Sequence, residues 1–129
     1  MQKISQIDEK IKQQDVFYEI QMAIEMYSKM SPIIPTQAIG ISKNIYERFD
    51  RAIEYLERAT LEEDLSKKAF YLRNASDEIF IQYGSFQTLV TIKGLSMGQV
   101  TQIIPHLKES YKQLKKWLKS ILPKLPTNE

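Results

Sequence analysis

The stretch Gly94-Leu95-Ser96-Met97-Gly98-Gln99 decides the fold, because it separates two long apolar-periodic segments with the punctuation of a helical hairpin. Ser96 and Gln99 have the S-x-x-Q spacing of a capping box, in which the hydroxyl accepts a first-turn N–H while the amide reaches back to the cap. Gly94 is expected to take the positive φ that closes the preceding helix. About three residues then remain for the turn, and connections this short in all-helical proteins join antiparallel neighbours.

Working outward from the turn, the following helix carries Val100, Ile103, Leu107, Tyr111, Leu114, Leu118 and Ile121 at spacings of three and four, one face of a helix. Pro105 interrupts it and predicts a bend near Gln102 or a separate first turn. The helix before the turn carries Leu65, Leu72, Ile79, Tyr83, Phe86 and Val90 and is expected to run to about Ile92. Its start is read from Thr60 and Glu63, a T-x-x-E capping box that would place Glu62-Glu63-Asp64 in the first turn, where the helix dipole favours negative charge. Ile45, Phe49, Ala52, Ile53 and Leu56 mark a second helix that begins between Thr36 and Ser42, since Gly40 weakens any helix across it. Ile4, Ile7, Ile11, Phe17, Ile20, Ile24 and Tyr27 mark the first helix, which Pro32 and Pro35 end. Pro123 and Pro126 mark fraying at the carboxy end. No segment alternates apolar and polar residues as a strand would. The expected fold is all-α, a single up-down-up-down four-helix bundle over residues 1–129.

The length of 129 residues and the hydrophobic content of 43% suit one soluble core. The chain has no cysteine, which excludes disulfides, thiol nucleophiles and zinc-thiolate sites and points to a cytoplasmic setting. No run approaches the roughly 20 apolar residues that span a bilayer, so no membrane role is expected. A di-metal site of the ferritin type needs two Glu-x-x-His pairs pointing inward. His106 is the sole histidine, with Ile103 and Gln102 three and four positions before it, and it is expected at the surface or the core boundary. No arginine stands in the thirty residues before it, against the Arg-His arrangement of the HEPN-type nucleases. Glu47 with Arg51, and Glu54 with Arg58, stand four apart in the favourable orientation and read as a solvated, ion-paired face. Catalytic residues, cofactor and metal are all expected to be absent, and the chain is not expected to be an enzyme.

Charge distribution says more than the net of +2. From His106 to Pro126 six lysines (Lys108, Lys112, Lys115, Lys116, Lys119 and Lys124) face Glu109 alone, a local charge of +5, whereas residues 1–105 carry −2. At about 100° per residue, Lys108, Lys112, Lys115 and Lys119 fall within about 60° of arc, beside the apolar stripe. Such a ridge is either a solvated face whose cations suit a helix C-terminus or a surface that contacts phosphates. Trp117 and Tyr111 read as core or interface residues before base-stacking platforms. Phe70, Phe80, Met22 and Met26 lie off the main stripes and suggest a second apolar surface buried between copies. The turn does not read as a DNA-binding helix-turn-helix, because its helices are too long and the second lacks polar base-reading residues near its start.

Taken in order, these residues resemble the Avd accessory proteins of diversity-generating retroelements, sisters of the four-helix proteins encoded in ribosomal-RNA intervening sequences. Leu72-Arg73-Asn74-Ala75 is similar to the family's arginine, alanine and asparagine cluster in helix three. An aromatic-rich segment, the Gly-Leu-Ser turn, Gln99 and a final Trp117-Leu118-Lys119-Ser120 follow, and Ile34-Pro35-Thr36 resembles the link between the family's first two helices. The resemblance spans about residues 20 to 120. It implies a protomer assembled as a five-fold barrel, a homopentamer, whose basic surfaces bind template RNA and an associated reverse transcriptase during mutagenic cDNA synthesis. The nucleic-acid-binding residues would be Lys108, Lys112, Lys115, Lys116, Lys119 and Arg73. Two features depart from the family: Lys115-Lys116 stands where many relatives have Gly-Gly, and the net charge is low. The alternative is a structural or protein-interaction oligomer of the intervening-sequence type with no nucleic-acid role.

Overall fold

In the computed structural model Ser96 caps the last helix as its spacing predicts: Ser96 Oγ accepts the Gln99 N–H at 3.1 Å, and Gln99 Oε1 accepts the Ser96 N–H at 2.9 Å. The structure describes the backbone of residues 2–30 and 34–125, with side chains from Asp15 onward in those ranges except Gln37. The side chains of Ile4, Ile7 and Ile11, residues 31–33 and Pro126 therefore lie outside the described set. Four helices result, α1 (Gln2–Met30), α2 (Ile39–Leu61), α3 (Leu65–Thr91) and α4 (Met97–Ile121), with 3-10 turns at Thr36–Ala38 and Leu122–Lys124. No strand occurs among the described residues.

The close of α3 is built differently from expectation. The Gly94 N–H bonds Leu89 O at 2.7 Å and the Lys93 N–H bonds Val90 O at 3.0 Å, the paired pattern of a Schellman motif. In that motif the left-handed position is the residue after the cap, and here it is Lys93, at φ 60°; no glycine has positive φ among the described residues. Gly94 is needed for space instead. A Cβ there would meet Leu89 Cδ2 at 3.1 Å and the Ala38 Cβ at 3.5 Å.

The start of α3 is also corrected. Thr60 remains inside α2, its hydroxyl donating to Leu56 O at 2.9 Å, and Asp64 is the cap, accepting the N–H groups of Ser66 at 2.9 Å and Lys67 at 3.3 Å. Aspartate is at least as good a cap as threonine and adds a charge that the helix dipole favours, so Glu62 and Glu63 fall in the connection and not in the first turn. Helix α4 runs unbroken through Pro105, with no separate first turn. The ring is exposed on the solvent side, where water can satisfy the carbonyl that proline leaves without its donor.

Pairs of side chains fix the directions of the helices. Gln82 Nε2 donates to Ile45 O at 2.7 Å, Glu78 meets Arg51, and Tyr71 stacks on Tyr55, so α3 runs against α2. Tyr27 near the end of α1 donates to Ser42 Oγ near the start of α2 at 2.6 Å. The α1 and α4 faces join at Glu19 and His106, and α3 and α4 join at Phe80 and Tyr111. These pairs give the up-down-up-down order of a four-helix bundle.

The apolar stripes of α2, α3 and α4 supply the core, with Ile45, Phe49, Leu56, Leu72, Ile79, Phe86, Ile103, Leu107 and Leu114 buried. On α1 the buried line is Val16, Ile20, Ala23, Tyr27 and Met30, while Phe17 and Ile24 flank it. Trp117 is the largest fully buried side chain, a core residue. Tyr27 packs edge-on against Phe86 at 5.4 Å, and burial pushes its phenol above the usual value despite the bond to Ser42.

The two turn residues carry opposite expectations. Lys93→Gly should raise stability by about 1 kcal/mol, the strain that a side chain pays in the left-handed region. Gly94→Ala should lower it by about 1 kcal/mol through overpacking against Leu89. Thermal melts of both variants check this; a gain from neither, with loss at Lys93→Gly, would overturn the assignment.

Candidate nucleic-acid interface

The lysines of α4 stand along the edge of that helix that turns toward α3. Tyr111, which touches Phe80 of α3 at 6.0 Å between ring centroids, marks that edge, and Lys115, Lys108, Lys119 and Lys112 lie progressively outward of it at about 100° per residue. Lys108, Lys112, Lys116 and Lys119 are exposed. Lys115 is half-buried, with its Nζ 5.3 Å from the centre of the Tyr111 ring, a cation–π contact. None of these five lysines forms an ion pair among the described residues. Lys115 and Lys108 stand next to the Tyr111 edge, whereas Lys119 and Lys112 face outward, roughly opposite the buried line of α4. Lys116 lies about 40° beyond Lys112 around α4, on the outward side.

Arg73 is exposed on α3, seven residues before Phe80 and within about 20° of it around the helix. Because α3 and α4 are antiparallel, this places Arg73 beside the carboxy-terminal half of α4, on the same outer face as Lys115 and Lys119. Lysines of one helix and the arginine of the next, expected separately from sequence, therefore share a surface. Asp77 is exposed near them on α3. Glu109 lies farther around α4 and accepts a hydrogen bond from Gln113 at 2.9 Å.

Aromatic residues interleave with this charge. Phe80 is 62% exposed yet braced on two sides, by Tyr111 and by Tyr83 at 6.3 Å. Burial, and secondarily the neighbouring Tyr111, push the Tyr83 phenol above its usual value. Sequence periodicity flagged Phe80 only as an apolar residue off the stripe. Its neighbourhood depends on which residue of α4 lies across the groove, which no pattern within α3 reveals.

The other three arginines are engaged. Arg48 and Arg51 of α2 both reach Glu78 Oε2 of α3, at 3.3 and 3.4 Å, and Arg58 pairs with Glu54 at 2.7 Å. Of the two pairs expected along α2, Glu54 with Arg58 forms. Arg51 instead turns to Glu78, a half-buried carboxylate across the helix interface that offers a less solvated partner than exposed Glu47. His106 lies at the boundary of the core as expected, but its Nδ1 is 2.7 Å from Glu19 Oε2 of α1. That pair spans 87 residues of sequence, beyond any local spacing rule.

Of the four off-stripe apolar residues, Phe70 and Phe80 are exposed, whereas Met22 and Met26 are half-buried and Met26 packs against the core. Ile81 is exposed as well, and with Phe70, Asp77, Gly84 and Thr88 it follows the outward line of α3. No helix among the described residues is long and apolar enough to cross a membrane, and none of their acidic and histidine side chains form a group of three that could hold a metal. No protein-family model, curated protein or solved structure matches the chain.

These pairings separate structural from available charge. Glu78→Ala should destabilise the protein by about 1 kcal/mol, since two guanidinium groups lose their partner, whereas Glu54→Ala on the exposed face should cost only a few tenths. Denaturant titrations check the order; equal losses would mean that Glu78 is not the interhelical tie.

Proposed function

We propose that the chain is a non-catalytic, nucleic-acid-binding accessory subunit of a reverse transcriptase of the kind found in diversity-generating retroelements. The observation that carries the reading is the lysine ladder of α4, without ion pairs among the described residues and sharing an outer face with Arg73. Ammonium groups of this kind bind phosphates as point charges, sequence-independently, as an accessory factor on a template requires. The resemblance to Avd proteins supplies the polymerase partner and a five-fold barrel of protomers. In such a ring each protomer would repeat the basic face, so several weak phosphate contacts would act on one strand at high effective concentration. The chemistry would belong to the polymerase.

The outward line of α3, with Phe70 and Ile81 exposed, favours self-association and is also what a purely structural oligomer would present. Salt dependence separates the two roles. Contacts to four phosphates of a single strand should give a slope of about −3 in log affinity against log salt. Changing Lys108, Lys112, Lys115 and Lys119 to Gln should flatten that slope while leaving the fold intact, because substitutions at the three exposed positions usually move stability by less than ~0.5 kcal/mol each and half-buried Lys115 gives up one cation–π contact of about 0.5–1 kcal/mol. Unchanged RNA binding and slope would remove the ridge from the interface, and no RNA binding at all would leave the structural oligomer.

Assembly and polymerase support are tested directly. Light scattering should give a mass near five times the 15.1 kDa protomer, and a monomer at micromolar concentration would end the barrel reading. Co-purification with a reverse transcriptase encoded nearby, followed by cDNA synthesis with and without this protein, should show a dependence of yield on its presence. Identical yield and error pattern in both reactions would reject the accessory role.

A further inference from the structure

A lysine ridge alone would hold a duplex and a single strand alike, because both present phosphates. The face contains one feature that treats them differently. Phe80 projects 62% exposed from α3 at the border of the ridge, its ring braced by Tyr83 at 6.3 Å and Tyr111 at 6.0 Å. The contact to Tyr111 is tilted at 42° and that to Tyr83 lies near edge-to-face at 60°, so neither tyrosine lies flat over the exposed ring. Tyr111 is itself engaged by Lys115, 5.3 Å from its centre. Phe80 is thus the exposed ring of a three-aromatic cluster, braced by both tyrosines and 62% open to solvent.

We propose that this face is selective for single-stranded nucleic acid, with an unpaired base stacking on Phe80 while the flanking phosphates lie along Lys108, Lys112, Lys115 and Lys119. The inference rests on the nucleic-acid reading above and narrows it to a ligand class. A base can reach an aromatic face only when it is not paired and stacked within a duplex, and an aromatic ring with a positively charged groove beside it is the general solution for sequence-tolerant single-strand binding. The surrounding charge favours this occupant over an apolar partner surface: lysines stand on the α4 side of the ring and Arg73 two turns away on its own helix, with Asp77 the nearby acidic residue. Burying those lysines against an apolar surface would strand their charges. A phosphate backbone neutralises them. Phe70 and Ile81 lie about 80–100° farther around α3 than Phe80.

The test uses the full chain and two probes of equal length, an unstructured oligouridylate and a blunt RNA duplex, at one ionic strength. The wild-type protein should prefer the single strand. Phe80→Ala should weaken oligouridylate binding by roughly five- to a hundredfold, the loss typical of one stacked base, and leave duplex binding within twofold. Phe80→Tyr should retain single-strand binding, because the ring face is preserved, which separates stacking from general damage. Replacing the four lysines with Gln should reduce binding of both probes. If Phe80→Ala leaves single-strand affinity unchanged while the lysine variant loses it, the stacking inference is wrong and the phosphate ridge stands. If Phe80→Ala instead changes the oligomeric mass, Phe80 belongs to a protein interface and the proposal is overturned. If neither probe binds the wild type, the nucleic-acid reading itself fails and this inference with it.

Discussion

The closure of the hairpin between α3 and α4 is the constraint on which the rest of the molecule depends. Lys93 reverses the chain in the left-handed region, Gly94 lets the turn approach Leu89 and Ala38, and Ser96 with Gln99 starts the next helix at once. A connection of five residues, Ile92 to Ser96, leaves the two helices no arrangement except antiparallel contact. That contact brings Phe80 to Tyr111 and Arg73 toward the end of α4. A Cβ added at Gly94 would press on the buried Leu89 side chain at 3.1 Å and crowd the close of α3. The basic face is therefore a consequence of the turn as much as of the lysines.

Polar ties across helix interfaces then fix what apolar stripes alone would leave free to slide. Gln82, fully buried in α3, spends its amide N–H on the backbone carbonyl of Ile45, and Glu78 holds two arginines of α2. Glu19 and His106 join α1 to α4, and Tyr27 joins α1 to α2. Apolar contacts are non-directional and tolerate a shift of one turn. A hydrogen bond does not, because a buried donor that loses its acceptor costs about 1–3 kcal/mol. Each of the pairs at α1–α2, α1–α4 and α2–α3 thus carries a directional bond.

Much of this was legible in the sequence, for definable reasons. Helices and their buried faces follow from a period of 3.6 residues, and the capping box at Ser96 is a local hydrogen-bond pattern written in three positions. The errors occurred where two residues could satisfy one geometric need. Thr60 and Asp64 could each cap α3, and the nearer spacing of a capping box lost to the stronger cap. Lys93 and Gly94 could each have taken the left-handed position, and packing at Gly94 decided between them. The partners of Arg51 and His106 were invisible for a different reason. They lie on other helices, and local spacing rules prefer i and i+4 pairs even when a less solvated carboxylate waits across an interface. The lysine ridge was readable on α4 alone, whereas Phe80 acquired meaning only when the hairpin placed it at the border of that ridge.

The low net charge of +2 does not by itself set the field at the α4 ridge, where Asp77 of α3 is the exposed acidic neighbour. At physiological salt the screening length is about 8 Å, so a phosphate on the α3–α4 edge feels the lysines under it far more than the acidic groups on other faces. Several of the acidic groups are already engaged within the protein: Glu78 with Arg48 and Arg51 and Glu19 with His106 between helices, and, on the exposed surface, Glu54 with Arg58 and Asp64 with two backbone N–H groups. The lysines of α4 are left without such partners among the described residues. Part of the acidic charge thus ties helices together or caps them, while Lys108, Lys112 and Lys119 of α4 are exposed. The field near the surface is set by that placement. An anionic strand approaching the α3–α4 edge would meet four ammonium groups and one open ring, whatever the sum over the whole sequence.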